Sequence, residues 1–501
     1  MLRAILAFAI SVNLLAGVSD APARAALDSI GAEDLKGDLS FLSSDAMQGR
    51  FTPSPELDIA AEFIASKFRA AGLEPGGDKD YFQTAAMVSR RLPTLRSGLR
   101  VYSGTTLLVV PVAAIQIRDM SAAAQILRAP VLVVAIDDAD KLKTANLKGK
   151  VVMVAQPDAD KLTDAQKTGL RTIHQTLTSS DAALEVRIVR KSAGAAQPRL
   201  LSSDQAAEHR VPQIAVVDER LWNLLTRSKT IPRLSASMRL PAPEDRNVIL
   251  KNVIGILRGS DPTLKDTCVL LTAHYDHIGT GETASQLSVS PPKADDRIYN
   301  GANDDGSGTV SVIEIARALA RINPHPSRSM VFMTFFGEEL GELGAKYYAK
   351  HPVFPAAKTM ADLNLEQLGR TDSTVGKQVE NATLTGYQYS DVTKFLEQAG
   401  RETGIKVYED KDASEEYFLR SDNEALARLG IPAHTIAVAY DFPDYHAVGD
   451  EWQKIDYENM AKVDRMIGLA LVNLANSTTA PQWNAENPKT APFREARGNI
   501  Y

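Results

Sequence analysis

The sequence predicts an α/β chain, a sheet covered by helices, with a small β-rich domain inserted ahead of its main part. Three observations predict it. From Asn252 onward, short apolar runs alternate with segments of helical period. Residues 330–336 are apolar almost throughout, as suits a central strand buried on both faces. Between Leu92 and Pro241 the apolar runs are short, of strand type, and separated by turn residues.

Residues 1–25 read as a secretory signal. Arg3 supplies a basic start, and residues 4–15 are almost wholly apolar, with Ser11 and Asn13 as interruptions. Ala23-Arg24-Ala25 is a small-x-small cleavage site. The apolar stretch is shorter than the ~20 residues of a membrane span. No cysteine follows it to carry a lipid, and no later stretch is long and apolar enough to cross a bilayer. The expectation is a chain starting near Ala26, periplasmic or secreted, without stable membrane association.

Residues 30–71 carry a helical pattern within an N-terminal part of the main domain placed at 26–91. Leu35, Leu39 and Leu42 form one apolar stripe, and Ile59, Phe63, Ile64 and Phe68 another. Gly72 follows as a C-terminal cap. The inserted domain is placed at 92–241, with strands at 107–112, 131–136, 151–155 and 214–217. Its histidines, His174 and His209, are far apart in sequence and read as ordinary surface or core residues. The main domain resumes at 242–476, with strands at 253–257, 268–273, 330–336, 361–365 and 435–439. Helices are expected at 308–319, 339–350 and 460–474, the last with a stripe of Met460, Val463, Ile467, Ala470 and Leu474. The polar, proline-containing tail at 477–501 is expected to be loosely held.

The length of 501 residues fits two or three domains of ~150 residues each. A chain 44% hydrophobic and 24% charged is neither disordered nor collagen-like. With 56 Lys+Arg against 62 Asp+Glu, it is mildly acidic and lacks the basic footprint of a nucleic-acid binder. Its single cysteine, Cys268, excludes an intramolecular disulfide and any cysteine-rich zinc module.

Polar clusters interrupt the α/β part just after its apolar strands, where open α/β sheets place their ligand sites. The first is His274-Tyr275-Asp276-His277. Imidazole is the commonest metal ligand, and a metal-bound ring usually donates its other N–H to a carboxylate such as Asp276. His277 is expected to be structural. The second is Asn300-Gly301-Ala302-Asn303-Asp304-Asp305-Gly306-Ser307-Gly308. Glycines permit tight backbone geometry and the acids offer oxygen ligands, whereas adjacent carboxylates disfavour phosphate at the helix N-terminus. The third is Gly337-Glu338-Glu339, in which one Glu binds metal and the other stays free as a base. Asn364-Leu365-Glu366 and Asp444-Tyr445-His446 complete the series. His, Asp, Glu, Glu and His make a balanced set for two divalent ions sharing one bridging carboxylate. Imidazole and carboxylate without thiolate suit zinc, with cobalt or manganese as alternatives. Two ions ~3.5–4 Å apart serve hydrolytic displacement. Asp295 and Asp296, the loop acids that calcium would use, read as solvated.

In this order the motifs resemble the co-catalytic di-zinc aminopeptidases, secreted exopeptidases that include bacterial leucyl aminopeptidases and glutamate carboxypeptidases. The segment from Phe41 to Arg50 resembles the family's N-terminal motif, and Arg420-Ser421-Asp422 its late Ser-Asp motif. The inserted domain resembles a protease-associated domain. The resemblance implies a zinc exopeptidase fold with a mixed central sheet covered by helices, two Zn2+ ions and peptide substrates. It implies that Asp304 bridges, that His274 and Glu366 complete one site, and that Glu339 and His446 complete the other. Glu338 is then the general base, Asp276 orients His274, Tyr445 helps hold the oxyanion, and the Asp304–Asp305 peptide bond is cis. One departure is Glu366, where the best-studied aminopeptidases of the family carry Asp and related members carry Glu. Glutaminyl cyclases share the fold and typically use one zinc, and transferrin-receptor-like relatives have lost ligands. The filled ligand set argues against both. Between aminopeptidase and carboxypeptidase the sequence offers Arg370 and Arg420 as candidate carboxylate readers, and family frequency favours aminopeptidase.

Overall fold

The computed structural model describes residues 21–499 apart from 159–160, 179, 192–197, 229, 285–286 and 375. The apolar stretch of the expected signal, residues 4–15, lies outside the described residues. The chain divides into two units: Met1–Thr84 with Lys251–Tyr501, and Ala85–Leu250. The sequence had suggested 92–241 for the insertion. The strands Phe82–Arg91 and Glu244–Leu257 run through both boundaries, and an apolar pattern carries no mark inside a continuous strand.

In the larger unit the sheet order is Lys406–Tyr408, Asn381–Leu384, Ala433–Ala437, Thr359–Leu365, Cys268–His274, Ser329–Phe335 and the strand ending at Leu257. The three strands Ser329–Phe335, Cys268–His274 and Thr359–Leu365 run parallel, with Ala433–Ala437 parallel to the last; the strand ending at Leu257 is antiparallel to Ser329–Phe335. The sheet is therefore mixed, as expected. Every residue of Cys268–His274, Ser329–Phe335 and Thr359–Leu365 is buried, which explains the largely apolar character of the first two; the third also buries Asp362 and Asn364. Register sets His274 opposite Phe335 and Leu365 opposite Ile436, so the carboxyl ends of the parallel strands open along one edge. Helices Gly308–Leu319 and Tyr457–Asn476 pack on this sheet with their apolar faces buried.

Four local expectations are corrected. The helical pattern over 30–71 is two helices, Ala32–Leu42 and Pro55–Ala71, parted by a tight segment over 43–54. Ile59 is about half exposed, and Leu57, Ala60, Ala61, Ile64 and Phe68 form the buried face instead. The helix expected from residue 339 begins at Leu343, because Glu338 and Glu339 belong to a turn after the strand. The tail is not loose: Trp483 stacks on Phe493 at 4.9 Å between ring centroids, and both are buried. The Trp483 indole N–H donates to the Gly430 carbonyl at 2.8 Å, and Arg497 donates to the Ala356 and Thr359 carbonyls. Two aromatic anchors hold a segment whose average composition is polar.

The second unit is built on an eight-stranded sheet, with Ala124–Val134, Val151–Ala155, Leu184–Ile188 and Gln213–Val216 adjacent and parallel in its middle. Helix Asp164–Thr178 buries Ile173 and Leu177 beside that sheet. Among the described residues no helix is long and apolar enough to cross a membrane.

Candidate metal centre

The carboxyl edge of the parallel strands collects the polar clusters. His274 is the last residue of its strand and almost wholly buried. Its Nδ1 lies 3.2 Å from the Asp276 backbone carbonyl and 3.6 Å from the Asp276 carboxylate. The Asp276 carboxylate itself accepts from the Glu338 N–H at 3.1 Å and the Thr52 hydroxyl at 3.0 Å. It therefore anchors the turn that carries Glu338.

Asp304 sits in the loop entering helix Gly308–Leu319, and the Asp304–Asp305 peptide bond is cis. Gly301 has φ 59°, and a Cβ there would lie 2.4 Å from the His277 ring, so glycine is required twice over. The Asp450 carboxylate accepts from the backbone N–H groups of Asn303 and Asp304 at 2.9–3.1 Å. The Asp305 carboxylate accepts from the N–H groups of Gly308, His274 and Gln367, tying together the segments that carry them.

Two groups of ligand atoms result. His274, Asp304 and Glu366 form one; His277, Asp304, Glu339 and His446 form the other. His274 Nε2 lies 3.4 Å from Asp304 Oδ1 and 3.6 Å from Glu366 Oε1. His446 Nε2 lies 3.1 Å from Asp304 Oδ2 and 3.2 Å from Glu339 Oε2. Ligands bound at ~2.0–2.1 Å in a tetrahedron stand ~3.3–3.4 Å apart, close to these four separations. Asp304 offers one oxygen to each group.

The field in the site is cation-seeking. Burial favours neutral His446, yet Glu339 and Asp304 outweigh it and lift the imidazole to about 12. Burial and Asp304 push Glu339 upward, while His446 and His277 hold it at about 2. Glu338 differs: burial, reinforced by Glu366, Glu339 and Asp422, drives its carboxyl well above the usual range against the pull of His274. Its Oε2 stands 3.9 Å from His274 Nε2. Burial likewise pushes the Tyr445 phenol up, and the ring stacks on His446 at 4.1 Å.

A hydrogen-bonded chain supports Glu366. The Asn364 amide donates to Ser421 Oγ at 2.8 Å, and Ser421 donates to Glu366 Oε1 at 2.5 Å. Beside it opens a cavity of about 90 Å3, bordered by Glu338, Glu366, Tyr417, Arg420, Tyr440 and Tyr445.

The two arginines separate. Arg370 is buried and fully engaged, bidentate to Asp372 and 2.9 Å from Asp444. Arg420 borders the cavity with its side chain 57% exposed, 4.6 Å over the Tyr417 ring. His277, set aside as structural on sequence grounds, is buried with Nδ1 2.7 Å from Glu339 Oε1 and joins the second group. Its spacing of three from His274 was the available signal. Arg50, Thr52, Asp305 and Asp450 were not singled out as site residues, because what they hold is backbone and second-layer carboxylate. Asp295 and Asp296 join neither group among the described residues. His174 lies beside Gln213 and His209 is exposed.

Residues 252–471 match the family model described as Peptidase family M28. A vacuolar membrane protease of Tuber melanosporum is 27% identical over 45% of this chain and 21% of its own length. Leupeptin-inactivating enzyme 1 of Streptomyces exfoliatus is 25% identical over 40% of this chain and 39% of its own. The chain thus spans about two fifths or less of the length of these curated relatives. A solved zinc aminopeptidase from Bacillus subtilis superposes with a TM-score of 0.51 at 20% identity, covering 89% of this chain and 96% of that one. That likeness shows a shared fold.

Proposed function

We propose, for a chain whose residues 252–471 match the peptidase family M28 model, the activity of a zinc-dependent exopeptidase that removes N-terminal residues from peptides. The observation that carries this reading is the pair of ligand groups sharing Asp304, with the free carboxyl of Glu338 beside them. His274, Asp304 and Glu366 would hold one zinc; Asp304, Glu339 and His446 the other, with His277 packed against Glu339. Bound zinc supplies a water of lowered pKa, from ~15.7 toward ~7, and polarises the scissile carbonyl.

The chain's own residues do the rest. Glu338, in neither ligand group and 3.9 Å from His274 Nε2, accepts the proton of the attacking water as the carboxylate and later returns it to the departing amine. Asp276 fixes the Glu338 backbone and stands beside the His274 ring. The Tyr445 phenol, kept protonated by burial, donates toward the oxygen that gains charge. Ser421 fixes the rotamer of Glu366. The inserted unit is read as a protease-associated domain, and the chain as periplasmic or secreted after cleavage near Ala25.

Arg420 favours a second reading. Its side chain lines the cavity, is 57% exposed and has only a loose, exposed contact with Glu416 at 3.9 Å, so it offers a partner for a substrate carboxylate, as a carboxypeptidase or dipeptidase needs, whereas Arg370 is buried against Asp372 and Asp444. One panel separates the readings: free, N-acetylated and C-amidated forms of the same peptides, with and without a zinc chelator. Aminopeptidase activity requires chelator-sensitive cleavage that N-acetylation abolishes and C-amidation spares. The reverse pattern establishes a carboxypeptidase, and cleavage indifferent to the chelator overturns the zinc reading.

A further inference from the structure

The motif ending in Arg50 has no role in the chemistry above, yet its side chain lies at the base of the metal centre. The Arg50 guanidinium is buried, and the described structure gives it no carboxylate partner within ion-pair distance. Its Nε donates to the Tyr275 carbonyl at 2.8 Å, Nη1 to the Leu42 and Asn300 carbonyls at 2.7 and 2.8 Å, and Nη2 to the Gly301 carbonyl at 2.9 Å. A desolvated cation is costly, and four backbone carbonyls arranged around one planar fork compensate it. Asp276, Asp450, Asp305 and Asp304 add a favourable field from farther away.

Two of those carbonyls lie just before Asp304 and one lies directly after His274. The guanidinium therefore joins the two backbone segments whose side chains must meet at one ion. Neighbouring residues repeat the tie. Thr52 donates to Asp276, and the Asn300 amide donates to the Ser43 carbonyl and the Asp45 carboxylate. The chain turns through left-handed geometry at Gln48, Gly49 and Arg50 to deliver the side chain. At Gly49 a Cβ would lie 2.3 Å from the Tyr299 carbonyl, so the segment is seated directly on the loop that precedes Asn300.

We propose that Arg50 is a positioning residue of the metal centre: its guanidinium fixes the backbone after His274 against the backbone before Asp304, so that both side chains face one ion. The inference rests on the metal-centre reading above. A lysine keeps the charge but cannot span four carbonyls in a plane, so R50K is the informative change, with R50M beside it. The first readout is the rate at which zinc passes from the purified full chain to a colorimetric chelator; the second is the visible spectrum of the Co(II)-substituted protein. Outer-layer partners of metal ligands typically contribute 10–100-fold to affinity or activity. R50K is expected to fold, to release zinc on the order of 10–100-fold faster, to show an altered Co(II) spectrum, and to lose kcat with KM little changed. A folded R50K with unchanged zinc release and an unchanged spectrum overturns the proposal. So does failure of both variants to fold by circular dichroism, since Arg50 would then serve the whole unit. Absence of bound zinc from the unmutated chain would instead refute the metal-centre reading.

Discussion

Replacing Glu338 by Gln isolates proton transfer from everything else the site does. The substitution conserves shape, and the anchoring bond to Asp276 comes from the Glu338 backbone N–H, so it survives. Neither metal-capable group includes Glu338, so metal content is expected to stay unchanged. Burial and the neighbouring Glu366, Glu339 and Asp422 already disfavour the charged carboxylate, so a neutral amide should not lower the thermal midpoint of the metal-free protein. Turnover is a different matter. A positioned base contributes ~10²–10⁴-fold, and at ~1.36 kcal/mol per tenfold that is roughly 2.7–5.4 kcal/mol of barrier. The assay measures kcat and KM on a peptide that the unmutated protein cleaves, together with zinc per chain by elemental analysis. The expected result is kcat reduced by ~10²–10⁴ with KM within a few-fold and metal unchanged. A kcat within about fivefold of the unmutated protein, at full metal occupancy, would remove Glu338 from the mechanism.

Asp304→Asn weakens the one carboxylate common to both groups, and elemental analysis is expected to find both metals lost; full occupancy would refute the bridge. His434 is wholly buried between the Ser390 hydroxyl and the Thr385 carbonyl, and burial lowers its pKa to about 4. Its folded pKa lies below the unfolded ~6.5, so its contribution is intact above that pH and is lost as pH falls toward 4, by about 3 kcal/mol. Urea midpoints of the unmutated chain and His434→Asn should therefore converge or cross in that window; a constant difference would contradict the assignment. Asp362 shows the opposite sign. Burial raises it to about 8, so stability is present at low pH and lost as pH rises from 3.8 through 8. Asp362→Asn keeps an acceptor for Thr272 and is expected to raise the thermal midpoint at pH 8 and not at pH 4.

The split between what was legible in the sequence and what was not follows the range of the interactions. Burial on both faces writes itself into composition, so the strands Cys268–His274 and Ser329–Phe335 were readable as apolar runs. Metal-capable side chains are of few types, so the clusters that hold His274, Asp304, Glu339, Glu366 and His446, with Glu338 as the candidate base, could be picked out in order. The tail misled because Trp483 and Phe493 are too few to shift its average polarity, yet each buries a large ring. Only the tertiary structure could assign Arg50, whose partners are backbone carbonyls 8 to 251 residues away and carry no side-chain signature. It also separated Arg370 from Arg420, because a guanidinium's availability depends on how the fold pairs it: Asp372 and Asp444 close the buried Arg370, while Arg420 lines the cavity with only an exposed contact to Glu416 at 3.9 Å. Residue type sets what a side chain can do, and distance across the folded chain decides which of those things it does.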